Sequence, residues 1–166
     1  MPNTHYAISG ALSAKLGEAE TSPKFALGQT VKGNNASEWL YVLAGGNIAQ
    51  YDCVAVEFAG TASPVTHALA RAGNTIGVAQ NAISSGEYGW VAINGHSLRV
   101  NTLAAEGVGV TLYTTDTAGA LADATASGSA ATIFGLTLVA TASGATASNA
   151  ACILQNPVVR KTIVDA

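Results

Sequence analysis

The chain has 166 residues, 7 basic and 10 acidic, with 49% hydrophobic residues, 18 glycines and a formal net charge of −3. At 10% charged residues its surface must be built largely from Ala, Ser, Thr, Gly and Asn, which excludes a solvated disordered chain. There is no basic excess to neutralise phosphates or an anionic bilayer, so neither nucleic acid nor a membrane is an expected partner.

Residues 1–24 differ in pattern from the rest of the chain. Met1 to Leu16 has no Lys or Arg before Lys15 and no continuous apolar block, so both parts of a signal peptide are missing and folding in the cytoplasm is expected. Ile8, Leu12 and Leu16 fall at helical spacing, but Gly10 and Gly17 interrupt the stripe at about 1 kcal/mol each. The expectation is an N-terminal arm, extended or partly helical, ahead of a β domain over 25–166.

From Phe25 onward, short apolar runs alternate with Gly, Asn, Ser and Asp turns. The spacing predicts strands at Phe25–Lys32, Glu38–Leu43, Cys53–Phe58, Val65–Ala70, Thr75–Ala79, Tyr88–Ile93, Ser97–Asn101, Gly109–Thr114, Ile133–Thr141 and Ala151–Leu154. Asn94-Gly95 between two such runs is a strong signal for a two-residue hairpin turn. Ala130 to Ala140 is about half a membrane span and reads as a core strand. Around it, 117–131 and 141–150 are nearly all Ala, Ser, Thr and Gly; they read as long hairpin loops, with an Ala-rich helix as the alternative. The fold class is all-β, a small barrel or sandwich of short antiparallel strands.

No local signature of a reaction is present. His5, His67 and His96 lack a second ligand at metal spacing, Ser97 beside His96 lacks the frame of a nucleophile elbow, and Gly107-Val108-Gly109 enters a strand instead of a helix. No catalytic residue, cofactor or metal is expected, and the chain reads as a non-enzyme. Cys53 and Cys152 sit in apolar runs and read as buried free thiols. Trp39, Tyr41 and Trp90 read as core, with the alternative that one anchors an intersubunit contact.

Leu27-Gly28-Gln29-Thr30-Val31-Lys32-Gly33, Glu38-Trp39-Leu40-Tyr41-Val42, Ile48-Ala49-Gln50-Tyr51-Asp52-Cys53-Val54, Gly86-Glu87-Tyr88-Gly89-Trp90-Val91 and Leu154-Gln155-Asn156-Pro157 together resemble head decoration (capsid cement) proteins of tailed bacteriophages, over roughly residues 25–160. The resemblance implies a virion component on the outer capsid surface. It would bind the major capsid protein and copies of itself, as a trimer or, in some cases, a dimer. Under that reading Ile8, Leu12 and Leu16 of the arm, with Phe25 and Trp90, are the candidate capsid or intersubunit contacts. The alternative is a head-fibre or tail-associated host-attachment module that binds carbohydrate through an exposed aromatic platform at Trp90 or Tyr88.

Overall fold

The short apolar runs become strands, and the chain is all-β. The computed structural model describes residues 5–11, 13–103, 106–123, 130–142 and 148–160. The strands are β1 (Ala7–Ser9), β2 (Thr30–Gly33), β3 (Glu38–Ala44), β4 (Cys53–Val56), β5 (Thr61–Pro64) and β6 (Thr75–Ala79). They continue with β7 (Tyr88–Thr102), β8 (Leu112–Thr114), β9 (Leu121–Ala122), β10 (Thr132–Leu138) and β11 (Ser148–Arg160).

Following the hydrogen bonds from strand to strand closes two rings. The first runs β3, β5, β4, β6, β7 and back to β3, with only the β3–β5 pair parallel. The second runs β7, β11, β10, β8, β9 and back to β7. Strand β7, 15 residues long, belongs to both. Closure leaves the strands within each ring without a free edge.

Side chains of one parity on the first ring converge on a single buried cluster containing Val42, Ala44, Val54, Val56, Ala62, Ala79 and Val91. These seven are all Val or Ala, and Ile48 and Ile83 complete the cluster. At Gly77 even a methyl group is excluded: a Cβ there would lie 2.8 Å from Val91 Cγ2. The opposite parity, Trp39, Tyr41, Cys53, Ala55, Ile76, Val78, Trp90 and Ala92, points outward and joins Leu98, Val100, Leu136, Leu138, Cys152 and Leu154 in the main core.

The structure overturns the hairpin expected at Asn94-Gly95. The chain stays extended there, and β7 passes from pairing with β3 (Glu38↔Asn94) to pairing with β11 (Leu154↔Gly95). Two register shifts, each adding one residue on β7, replace the turn. Gly95 is needed for space and conformation alike: its φ is 127°, and a Cβ would come within 2.5 Å of the Ser37 Cα. Bonds to two closed rings outweigh the local turn preference.

Of the two forms expected for the N-terminal arm, extended or partly helical, the described residues show the extended one. Ile8 lies in β1, which pairs antiparallel with β2, so the described part of 5–24 shows no helical stripe. Leu16 is buried, and Glu20 and Tyr88 exchange backbone hydrogen bonds of 2.8 Å in both directions. Leu12 lies outside the described residues. Residues 65–70 form a turn instead of a strand, while β5, with the unpromising sequence Thr-Ala-Ser-Pro, is a strand because β3 and β4 bracket it. Pro64 is tolerated at its last position.

Gly95→Ala is expected to destabilise the protein by about 3 kcal/mol or more, since it meets backbone as well as a disfavoured φ. Gly46→Ala, with open space at its Cβ, should stay within about 0.5 kcal/mol. Urea denaturation of the two variants checks the contrast.

Candidate functional site

The residues singled out as contacts are for the most part taken up by the chain's own core. Trp90 is 1% exposed and Leu16 also 1% exposed, so neither side chain offers surface to a partner. Phe25 packs half-buried against Tyr41 and Trp90, with ring centroids 5.3 and 5.2 Å away. The Tyr41 hydroxyl donates to Glu20 Oε2 at 3.0 Å and accepts from the Lys24 backbone N–H at 3.2 Å, and Lys24 Nζ pairs with Glu20 at 2.9 Å. Aromatic packing and charge together hold residues 20–25 on the body. In the single chain Leu16 and Trp90 are core residues, and Phe25 is partly buried against that core. Ile8 alone of the five is described as exposed, at 56%. Trp90 is thus closed to a partner, while Tyr88, partly buried, stacks on Tyr41 at 6.1 Å.

The fold brings one histidine to a hydroxyl and a carboxylate. His67 Nδ1 lies 2.9 Å from Thr114 Oγ1, and His67 Nε2 lies 3.8 Å from Asp116 Oδ1. The Ala131 backbone N–H donates to the same Thr114 Oγ1 at 3.0 Å. The order resembles a nucleophile row, but the exposure runs the wrong way. Thr114 is 1% exposed while the Asp116 side chain is 89% exposed, so a substrate reaching the carboxylate would not reach the hydroxyl. The row instead ties the 65–70 turn to β8.

The surface with most to offer a partner is the mouth of the first ring, where three tight turns converge on an open groove of about 460 Å³. The 57–60 turn is closed by Gly60 N–H donating to Glu57 O at 2.8 Å, and it carries Phe58 at its tip, fully exposed. The 26–29 turn carries Leu27, 39% exposed, and Gly28 N–H donates to Tyr41 O at 2.9 Å to fix it on β3. The 71–74 turn is held by Asn74 N–H to Arg71 O at 3.0 Å. Leu40 and Val56 line the floor. From the rim the apolar surface continues across paired strands through Thr75, Val158 and Phe134, where the Arg160 guanidinium sits 4.9 Å from the Phe134 centroid. The large apolar residues exposed along this region are Phe58, Leu27, Val158 and Phe134.

Sequence reasoning places Phe58 at the end of a strand and misses its role. The available signal is a large apolar residue inside Glu57-Phe58-Ala59-Gly60, where turn chemistry calls for polar residues. Leu27 shows in the sequence only as the start of the globular part.

The cysteines behave as expected of buried free thiols. Burial pushes the Cys152 thiol up to about 12, and Cys53 shifts the same way, by burial first and then through nearby Cys152 and Asp52. The folded thiols keep protons that an unfolded thiol releases near 9.0. Their contribution to stability is therefore complete below about pH 9 and is lost as pH rises toward about 12. At pH 8 a disulfide reagent such as DTNB should leave both thiols unmodified in the native protein and modify both in guanidinium, and the denaturation midpoint should fall as pH is raised past 9.

No family model and no curated protein matches this chain. Among solved structures it is similar to the N base of the head fibre gp8.5 of bacteriophage phi29, with 15% sequence identity and a TM-score of 0.47, over 74% of this chain and 97% of that chain.

Proposed function

We propose that the protein is a non-enzymatic structural component of a tailed-phage virion, a head decoration protein that seats the apolar mouth of its first ring on the outer surface of the capsid. The observation that carries this reading is the Phe58–Leu27 band, extended by Val158 and Phe134 on rigid strands. The segments that resemble cement proteins support the choice of the major capsid protein as the occupant of that band. A decoration protein works by burial against a lattice of identical subunits, and a symmetric oligomer multiplies a weak footprint through avidity. A trimer fits three-fold positions on such a shell. In this reading residues 5–24, where described, pack on the body through Leu16 and the Glu20–Tyr88 hydrogen bonds, and attachment runs through turns that close hydrogen bonds hold in place.

A head-fibre base is the second reading, and it would rest on the same shell through the same band. The fully exposed Phe58, which a monomer in water gains nothing by displaying, is the observation both share.

The test is binding of purified protein to expanded heads that lack it. Phe58→Ser combined with Leu27→Ser should weaken binding at least about thirtyfold, since burying one Phe or Leu is worth about 2 kcal/mol, while leaving the melting temperature within a few degrees. Undiminished binding of the double variant removes the mouth from the interface. Deleting residues 1–22 should lower stability by about 2 kcal/mol or more through loss of buried Leu16 and the Glu20–Tyr88 pairing. Chemical denaturation of the truncated chain checks it.

A further inference from the structure

On the outer side of the β7–β11 ladder lies a second groove, of about 820 Å³, and it differs in character from the mouth. Its polar lining includes His5, Gln50, Tyr51, His96, Arg99 and Asn149, with Val139 and Ile153 supplying aliphatic surface. Among the described residues no carboxylate lines it, and Arg99 is its fixed charge.

The groove is built and braced. Buried Gln80 substitutes for a neighbouring strand: its Nε2 donates to Arg99 O at 2.9 Å, its Oε1 accepts from Arg99 N–H at 3.1 Å, and its own carbonyl accepts from Gln50 Nε2 at 2.9 Å. The Arg99 guanidinium is held at Nε by Asn149 Oδ1 at 2.6 Å and at Nη2 by Asn149 O at 3.2 Å. Two of its five donors are thereby used and three remain. Tyr51 and Ser97 both line the groove in left-handed conformations, with φ of 70° and 61°. Such strain, about 1 kcal/mol or more per residue, gathers where a site requires it. The His5 Nδ1 atom is buried without a hydrogen-bond partner, and burial holds the imidazole below its usual pKa, so it stays neutral and able to donate or accept.

We propose that this groove binds a saccharide carrying a carboxylate, such as a uronic-acid unit. The carboxylate takes the unused Arg99 donors, which suit planar bidentate recognition. Hydroxyls meet the amides of Gln50 and Asn149 and the imidazoles, and the C–H faces of the sugar rings lie over Val139, Ile153 and Tyr51. The site does not depend on the virion role and does not overlap the Phe58 mouth. Neither Trp90 nor Tyr88 lines it.

The test titrates the full chain with two probes of equal length, a hyaluronan tetrasaccharide, which carries glucuronates, and chitotetraose, which is neutral. The acidic probe should bind at least about tenfold more tightly, and the preference should shrink as salt is raised from about 0.05 to about 0.5 M. Arg99→Gln and, separately, Asn149→Asp should each lose at least about tenfold for the acidic probe, with near-UV circular dichroism unchanged and binding to heads retained. Equal affinity for both probes, a salt-independent preference, indifference to both substitutions, or no binding of the acidic probe at about 10 mM would each overturn the proposal.

Discussion

One strand serving two closed rings is the constraint on which the rest of the structure depends. β7 pairs with β3 and β6 over its first half and with β11 over its second, so the two rings cannot separate without breaking it. The tight approach at Gly95 to the Ser37 backbone, and the two register shifts beside it, are the local cost of that sharing. The outward face of the first ring then becomes one wall of the main core, so that Trp39, Tyr41 and Trp90 are buried between ring and partner strands. Glu20, Lys24 and Phe25 close this aromatic layer from the N-terminal side.

Narrow rings also account for the composition. A chain of tiny side chains and few ions invites the reading that it lies flush against copies of itself. Part of that smallness is consumed internally: Val42, Ala44, Val54, Ala62, Ala79 and Val91 pack together with Ile48 and Ile83, and Gly77 has no room for a methyl group. Of the large apolar groups left exposed, Leu27 and Phe58 lie at the mouth of the first ring, and Val158 and Phe134 lie on paired strands beside it. The proposed interface therefore rests on a handful of residues such as Phe58 and Leu27, and not on the average composition.

Legibility in the sequence tracks what is local. β3, β4, β6 and the centre of β10 are readable because each is a run of apolar residues bounded by turn residues, and the all-β class comes from their number. β5 is not, because Thr-Ala-Ser-Pro has no strand character of its own and becomes a strand between two others. Asn94-Gly95 misleads for the converse reason: its local preference is real, but ladders on both sides of β7 override it. Ile8 and Leu16 share a helical spacing only by coincidence, one ending in an exposed edge strand and the other in the core. Of the site, Leu27 and Phe58 lie about thirty residues apart, and nothing in either segment reports that their turns meet. The braces of the second groove, Gln80 on Arg99 and Arg99 on Asn149, are likewise long-range pairs that no local pattern encodes.

The two proposed surfaces, an apolar mouth and a polar groove, both need a scaffold that does not flex. That rigidity rests on β7. Native-state hydrogen exchange along residues 88–102 tests it most directly. The account predicts that the interior amides of both halves, on either side of Asn94-Gly95, exchange only through global unfolding, with the same free energy and the same denaturant dependence. Independent exchange of the two halves, with fast amides at 94–97, would show a hinged hairpin and contradict the fused-ring account.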